Sequence, residues 1–377
     1  MKFCILSLFV PVFLGSLAHS QWRTQESEVK ASLRGLSIVS ERIVWASGSS
    51  GTWLRTTDGG ESWQHGIVAG AEHLDFRDVE AFNASTALLL ASGQGDGSRI
   101  YKTTDGGANW KLLFTNPDAE GFLDCMAFWN QQRGIVVGDP VGGAFVVMLT
   151  SDGGQHWTRV SKEKLPPPRP GEGVFAASGT CVAIQGKENA WFGTATAARV
   201  YRTTNGGRTW SVADTTVANG SDSSGVTSLV FWSGCGVAVG GDYKHPEGPI
   251  PSAAITEIRG RLWEAPETQP FGYRSAVTVV PQTSGPTLVA VGTSGSDLSF
   301  DGGLHWRKLD SKGFNAVAFI SPTAGWAVGG GGTIARFSGT DADGLTLSLK
   351  QQPKPTSERE IRHSICQKSS WSWVPIM

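Results

Sequence analysis

TTDGGESW (56–63), TTDGGANW (103–110), TSDGGQHW (150–157), TTNGGRTW (203–210) and SFDGGLHW (299–306) are five versions of one octapeptide. Each carries an acidic or amide residue, two glycines and a closing tryptophan. Recurrence at a fixed period is the mark of a repeat architecture. Asp58 to Asp105 and Asp105 to Asp152 are steps of 47 residues, and Asp152 to Asn205 is 53. The step from Asn205 to Asp301 is 96, twice 48, so one copy has lost its signature. That copy is AITEIRGRLW (254–263), where the carboxylate and glycines read as lost and Trp263 as kept.

A second pattern precedes each octapeptide: a short apolar strand, a turn, then a strand ending in small residues. DVEAFNASTALLLASG, CMAFWNQQRGIVVGD, SLVFWSGCGVAVGGD and AVAFISPTAGWAVGGG are examples. A seventh such unit, 313–338, has no octapeptide behind it. Trp22, in QWRTQESEV, lies 41 residues before Trp63 and can supply the missing tryptophan. The ladder is then Trp22, Trp63, Trp110, Trp157, Trp210, Trp263 and Trp306. The predicted fold is all-β: a seven-bladed β-propeller with four-stranded antiparallel blades, closed by an N-terminal strand within 21–30. Closure leaves no open sheet edge.

The octapeptide reads as the hairpin between the third and fourth strands of a blade. Asp58, Asp105, Asp152, Asn205 and Asp301 accept hydrogen bonds from their own turns, as Asx motifs do. The glycines supply positive φ, and the tryptophan packs between blades. This is a structural role.

Outside the repeats, MKFCILSLFVPVFLGSLAHS (1–20) has one early lysine, an apolar run and small residues at its end. That order predicts a signal peptide, too short to span a membrane, and a secreted or periplasmic protein. Residues 21–350 are then the propeller, and 351–377, which lose the repeat, a disordered or loosely docked tail. A net charge of −1 argues against nucleic acid as partner. Cys125, Cys181, Cys235 and Cys366 fit no zinc spacing and read as buried thiols. A Cys125–Cys181 disulfide stays open for an oxidising compartment. No cofactor or metal is implied: the seven histidines are scattered, and GGGGT (329–333) reads as a blade turn, not a dinucleotide loop.

The octapeptides resemble the Asp-box, or bacterial neuraminidase repeat. The longer unit resembles the photosystem II assembly and stability factor family of cyanobacteria and plastids. GFNAVAFISPTAGWAVGGGGTI (313–334) and residues 22–63 carry that likeness best, and it extends across 21–345. The same repeat occurs in sialidases, xyloglucan hydrolases and sorting receptors. The resemblance therefore implies a propeller that binds another protein or ligand, without transferring the partner.

Aligning the starts of the inner strands brings Arg34, Arg77, Asp124, Thr180, Thr227, Arg274 and Asn315 to one register, predicted to ring the channel mouth. The long loops 164–179, 213–225 and 240–252 belong to that face, with Asp139, Asp242, Tyr243, Lys244 and His245. Long loops on a rigid scaffold are where binding concentrates. Three arginines there could clamp a carboxylate or acidic peptide, or pair with Asp124, Asp139 and Asp242 as rim bridges.

The leading expectation is a monomeric, non-catalytic module that binds a protein partner or an acidic or glycan ligand. The second is a sialidase-type glycoside hydrolase, which needs an arginine triad, a tyrosine nucleophile and an acid. Only Tyr243 is plausibly placed for that, and the Arg-Ile-Pro signature is missing from the first blade. An oxidoreductase is the third.

Overall fold

The computed structural model describes residues 21–337 and Cys366. Among these residues the strands form seven antiparallel sheets. Blade one runs outward as Leu33–Ile38, Val44–Gly48, Thr52–Thr56 and Gln64–Ile67. The inner strands of blades two to seven are Phe76–Ala81, Leu123–Phe128, Val182–Gln185, Ser224–Trp232, Ala276–Val280 and Ala316–Ser321. Each inner strand lies against the next, and the seventh returns to the first. The result is a closed seven-bladed propeller.

The core is divided among the seams. Seven apolar clusters each draw on two adjacent blades, and each holds one tryptophan of the ladder. Trp210, for instance, packs with Ile135, Val137 and Val147 of blade three and Phe192 and Tyr201 of blade four. Burying an indole contributes about 2–3 kcal/mol, so each seam is fastened by its own ring.

The turns that aim these indoles are uniform. In blade one the Thr56 hydroxyl donates to Asp58 Oδ1 at 2.7 Å and accepts the Gly60 N–H at 2.9 Å. Asp58 Oδ1 also accepts the Ser62 N–H at 3.0 Å. The Ser62 hydroxyl, which donates to Asp58 Oδ2 at 2.5 Å, then the Ser62 N–H and the Thr56 hydroxyl, hold the Asp58 carboxyl well below the usual carboxylate range. Gly59 and Gly60 sit at φ 81° and 86°, where a β-carbon is strained. Asn205 keeps the arrangement with an amide oxygen, receiving the Thr203 hydroxyl at 2.9 Å and the Thr209 N–H at 3.0 Å.

Blade five departs from the expected four strands. Ser224–Trp232, Cys235–Asp242 and Ala253–Thr256 form a three-stranded sheet, with a single bridge from Ile255 to Glu264 in place of the fourth strand. Pro266, which has no N–H to donate, follows two residues after that bridge and cuts the pairing short. The turn also corrects the expectation that both glycines are lost. Gly260 holds the second position at φ 75°, with its N–H on Thr256 Oγ1 at 3.0 Å. Arg259 takes the first position at φ 58°, and Ile258 replaces the carboxylate.

The N-terminal strand Trp22–Gln25 completes blade seven by pairing antiparallel with Ile334–Phe337, Trp22 opposite Phe337. Gln25 then bridges to blade one. Its Oε1 accepts Trp326 Nε1 at 3.1 Å and Trp63 Nε1 at 3.3 Å, and its Nε2 donates to the Gly59 carbonyl at 3.3 Å.

The reading of the cysteines as thiols is corrected. Cys125 and Cys181 face each other across the seam of blades three and four, with Cα atoms 6.1 Å apart, and are disulfide-bonded. That separation is within disulfide reach. Cys235 is bonded to Cys366, a pairing the sequence did not suggest. The expected signal peptide (1–20), residues 338–350 and, apart from Cys366, the expected tail (351–377) lie outside the described residues.

Candidate functional site: the loop-rich face and channel mouth

Arg34, Arg77, Asp124 and Thr227 are bulged residues: the pairing of the inner strand with the second strand skips each of them. A bulge adds one unpaired residue and re-aims its side chain. Thr180, Arg274 and Asn315 stand at the corresponding lead-ins of blades four, six and seven. The register read from the sequence is thus a structural one.

What occupies the mouth is the chain itself. Segment 174–180, at the end of the long 164–179 loop, crosses the opening. The Val174 N–H donates to Asp139 Oδ1 at 2.8 Å. Arg77 Nη1 donates to the Ala176 carbonyl at 3.3 Å and Arg34 Nη1 to that of Ala177 at 3.1 Å. The Ser178 hydroxyl reaches the Ser275 carbonyl of blade six at 2.9 Å, and Thr180 Oγ1 lies 2.7 Å from Ser228 Oγ of blade five. A β-carbon on Gly179 would come within 2.4 Å of Asp78 Oδ1, so only glycine fits there. Cys181 anchors the far end by its disulfide.

The predicted site residues divide into two groups. Arg34 and Arg77 stay partly exposed side by side. Burial, then the neighbouring Arg77, pulls the Arg34 pKa down, and Asp75 pairs with Arg77 at 2.8 Å. Arg274 is only 1% exposed. It bonds to Asp297 at 2.5 Å, to Ser294 Oγ at 3.0 Å and to the Tyr273 and Phe271 carbonyls at 2.7 and 3.0 Å. It is a structural ion pair inside blade six, so three arginines do not converge on one opening. Asn315 is buried and donates to the Leu33 carbonyl at 2.9 Å. Asp124 is buried too: burial, then Asp139, pushes its carboxyl well up, and its Oδ2 has no hydrogen-bond partner among the described residues. Asp139 is also pushed up by burial.

Asp242 caps the neighbouring loop, accepting the Lys244 N–H at 2.9 Å with His245 Nδ1 at 3.0 Å. Lys244 pairs with Asp222 at 3.0 Å. Tyr243 is 45% exposed, its ring 5.9 Å from Phe175 and 6.4 Å from Tyr273, and Phe271 in the next loop is 56% exposed. Sequence reasoning singled out Tyr243 and missed Phe175, Tyr273 and Phe271. The signal available was an aromatic residue in, or directly after, each of three long connections on one face.

Beneath the crossing segment lies a channel cavity of ≈ 190 Å³ lined by Leu36, Asp78, Glu80, Met126, Ala127 and Ile184, among others. Burial pushes the Asp78 carboxyl up to about 8, although it accepts the Met126 N–H at 2.7 Å. Among the described residues no group of three or more His, Cys, Asp or Glu could hold a metal, and no helix is long and apolar enough to cross a membrane.

A family described as "Photosynthesis system II assembly factor YCF48" matches residues 93–239. No curated protein sequence matches the chain. Among solved structures, "YCF48 bound to D1 peptide" is 14% identical with a TM-score of 0.57, covering 85% of this chain and 98% of that one. YCF48 from Cyanidioschyzon merolae is 16% identical with a TM-score of 0.60, covering 84% and 99%. An ancestral GH74 enzyme is 14% identical with a TM-score of 0.57 over 88% of this chain, which spans about half of that one (47%). The chain is an Asp-box seven-bladed β-propeller that resembles the photosystem II assembly and stability factor family.

Proposed function

We propose that this propeller is a non-catalytic, monomeric assembly module, working in a secreted or periplasmic setting, that binds an extended acidic segment of a protein partner at its loop-rich face. One observation carries the reading. Arg34 and Arg77 already grip consecutive backbone carbonyls of a peptide segment on the face where the part-exposed rings of Phe175 and Tyr243 meet the buried Tyr273. Arginine and aromatic anchors are the residues that dominate binding energy at interfaces. Two disulfides support an oxidising setting. A structural relative was solved with a peptide bound, which supports a peptide ligand over a glycan.

A hydrolase of sialidase type finds no support in the geometry, because Arg274 is committed to Asp297. The GH74 neighbour shares the fold at low identity.

An array of acidic peptides tests the reading. The purified protein should retain a subset of peptides, and both Tyr243→Ala/Phe271→Ala and Arg34→Ala/Arg77→Ala should weaken that retention about tenfold. Equal retention by both variants, or turnover of a fluorogenic sialoside, would refute it.

A further inference from the structure

The degenerate turn of blade five breaks the rule of the other boxes in a directed way. Elsewhere the carboxylate or amide at the third position is clasped by a polar side chain four residues on: Ser62, Asn109, His156, Thr209 or His305. Here both members of the clasp are aliphatic, and both face outward. Ile258 is 44% exposed and Leu262 57%. Two of the six exposed large apolar side chains among the described residues therefore share one hairpin tip.

Arginine has also entered the hairpin. Arg259 stands at φ 58° where every intact box has glycine, a conformation that costs a side-chain-bearing residue about 1 kcal/mol or more. Strain of this kind persists where the surrounding structure over-determines the backbone. Its backbone is held on two sides: the Arg259 N–H donates to the Gly234 carbonyl at 2.7 Å, and the Arg259 carbonyl accepts Trp191 Nε1 at 2.9 Å.

Arg202, on the third strand of blade four, completes the group. In blades one and two the residue at this register donates across the seam: Arg55 to the Ala84 carbonyl, and Lys102 to the Gly153 carbonyl at 2.9 Å. Arg202 donates to nothing among the described residues, and its Nε is buried without a partner. Burial, then Arg261 and Arg259, lowers its pKa, with no carboxylate opposing them. No acidic residue lies within ion-pair distance of Arg202, Arg259 or Arg261 among the described residues.

We propose that the hairpin Thr256–Trp263, on the face opposite the loop-rich mouth, is a second docking site for an acidic segment of a protein partner. Arg202, Arg259 and Arg261 receive its carboxylates, and Ile258 and Leu262 its apolar side chains. Three arginines beside an apolar tip suit a ligand that carries both carboxylates and apolar side chains, with Glu257 and Glu264 flanking the tip. A bilayer fits less well. Arg202 is recessed, so a flat surface meets only two projecting arginines, fewer than the clusters of four to eight that hold proteins on anionic lipid. The tip also lacks the aromatic residues that favour the membrane interface. A carboxylate side chain can enter beside Arg202 and pair with it.

The test uses the full chain carrying Arg34→Ala/Arg77→Ala, so that the mouth does not report, and a fluorescein-labelled peptide of alternating Glu and Leu. Anisotropy should show saturable binding that weakens at least tenfold in Arg259→Glu/Arg261→Glu. It should persist within about twofold in Lys111→Glu/Lys308→Glu, an equal charge change on the outer strands of blades two and six. Binding that survives the hairpin reversal, or falls equally in the lysine control, overturns the proposal. So does the absence of peptide binding where phosphatidylserine vesicles sediment the parent protein but not the hairpin variant. Circular dichroism of each variant confirms that the ring is intact, since both hairpin arginines are exposed.

Discussion

Two carboxylates illustrate how position on the blade sets the sign of a pH effect. Asp58 is stabilised as an anion by its turn, so its contribution is present above the unfolded carboxylate pKa and lost as pH falls through the lower folded value. Asp78, in the channel, behaves oppositely. Its folded pKa is raised to about 8, so between about pH 4 and that value the unfolded chain has released a proton the folded one retains, and stability declines as pH rises. Asp78→Asn can keep the hydrogen bond from Met126 and removes this penalty. Urea unfolding at pH 5 and pH 8 should show the variant gaining on the parent at the higher pH, by an amount on the order of a few kcal/mol. An identical gain at both values would contradict a raised pKa. At Arg259 the expectation joins stability to binding. Arg259→Gly restores the residue the left-handed position favours and should stabilise by about 0.5–1 kcal/mol while weakening hairpin binding. Chemical denaturation together with peptide anisotropy reads both.

At the scale of the element, the indoles are independent fasteners. Trp210→Ala should cost about 3–5 kcal/mol, measurable in urea, by opening the seam between blades three and four. A loss near zero would mean the seam is held by the Cys125–Cys181 bond alone. The elements also show what was legible in the sequence. The boxes, the tryptophan ladder and the closing strand could be read because a turn's chemistry is local: hydroxyl, carboxylate and two glycines suffice to specify it. The register of the inner strands was legible for the same reason, since in every blade but the fourth, where Thr180 follows Gly179, a polar residue comes directly after an apolar one. Arg274 shared that register with Arg34 and Arg77, yet its role is decided by Asp297 on the third strand of its own blade. No other blade has a carboxylate on its third strand, which was the available clue. The segment across the mouth was not legible, because nothing local distinguishes a loop that turns inward from one that stands in solvent. Its contacts come from blades one, two, three, five and six. The Cys235–Cys366 pairing joins positions 131 apart and lies equally beyond local reasoning.

For the molecule as a whole, closure depends on a four-strand sheet assembled from both ends of the described chain. Deleting 21–25 should lower Tm and leave Ile334–Phe337 as an open edge that recruits other chains. Size-exclusion chromatography would show the shift to larger species, and a deletion that stayed monomeric with an unchanged Tm would argue that Gln25 and Trp22 are dispensable. The two proposed docking faces lie at opposite ends of the channel axis, so the ring could hold two partners at once without either touching the other.

The pairing of Trp22 with Phe337 has a topological consequence. Because those two residues are neighbours across an antiparallel ladder, a short loop could join them, and the backbone could be cut instead at the solvent-facing Gly142–Gly143 turn. The resulting circular permutant would have the same seven sheets with every blade covalently continuous except the third. For the fold, the turns of the ring are thus interchangeable as openings.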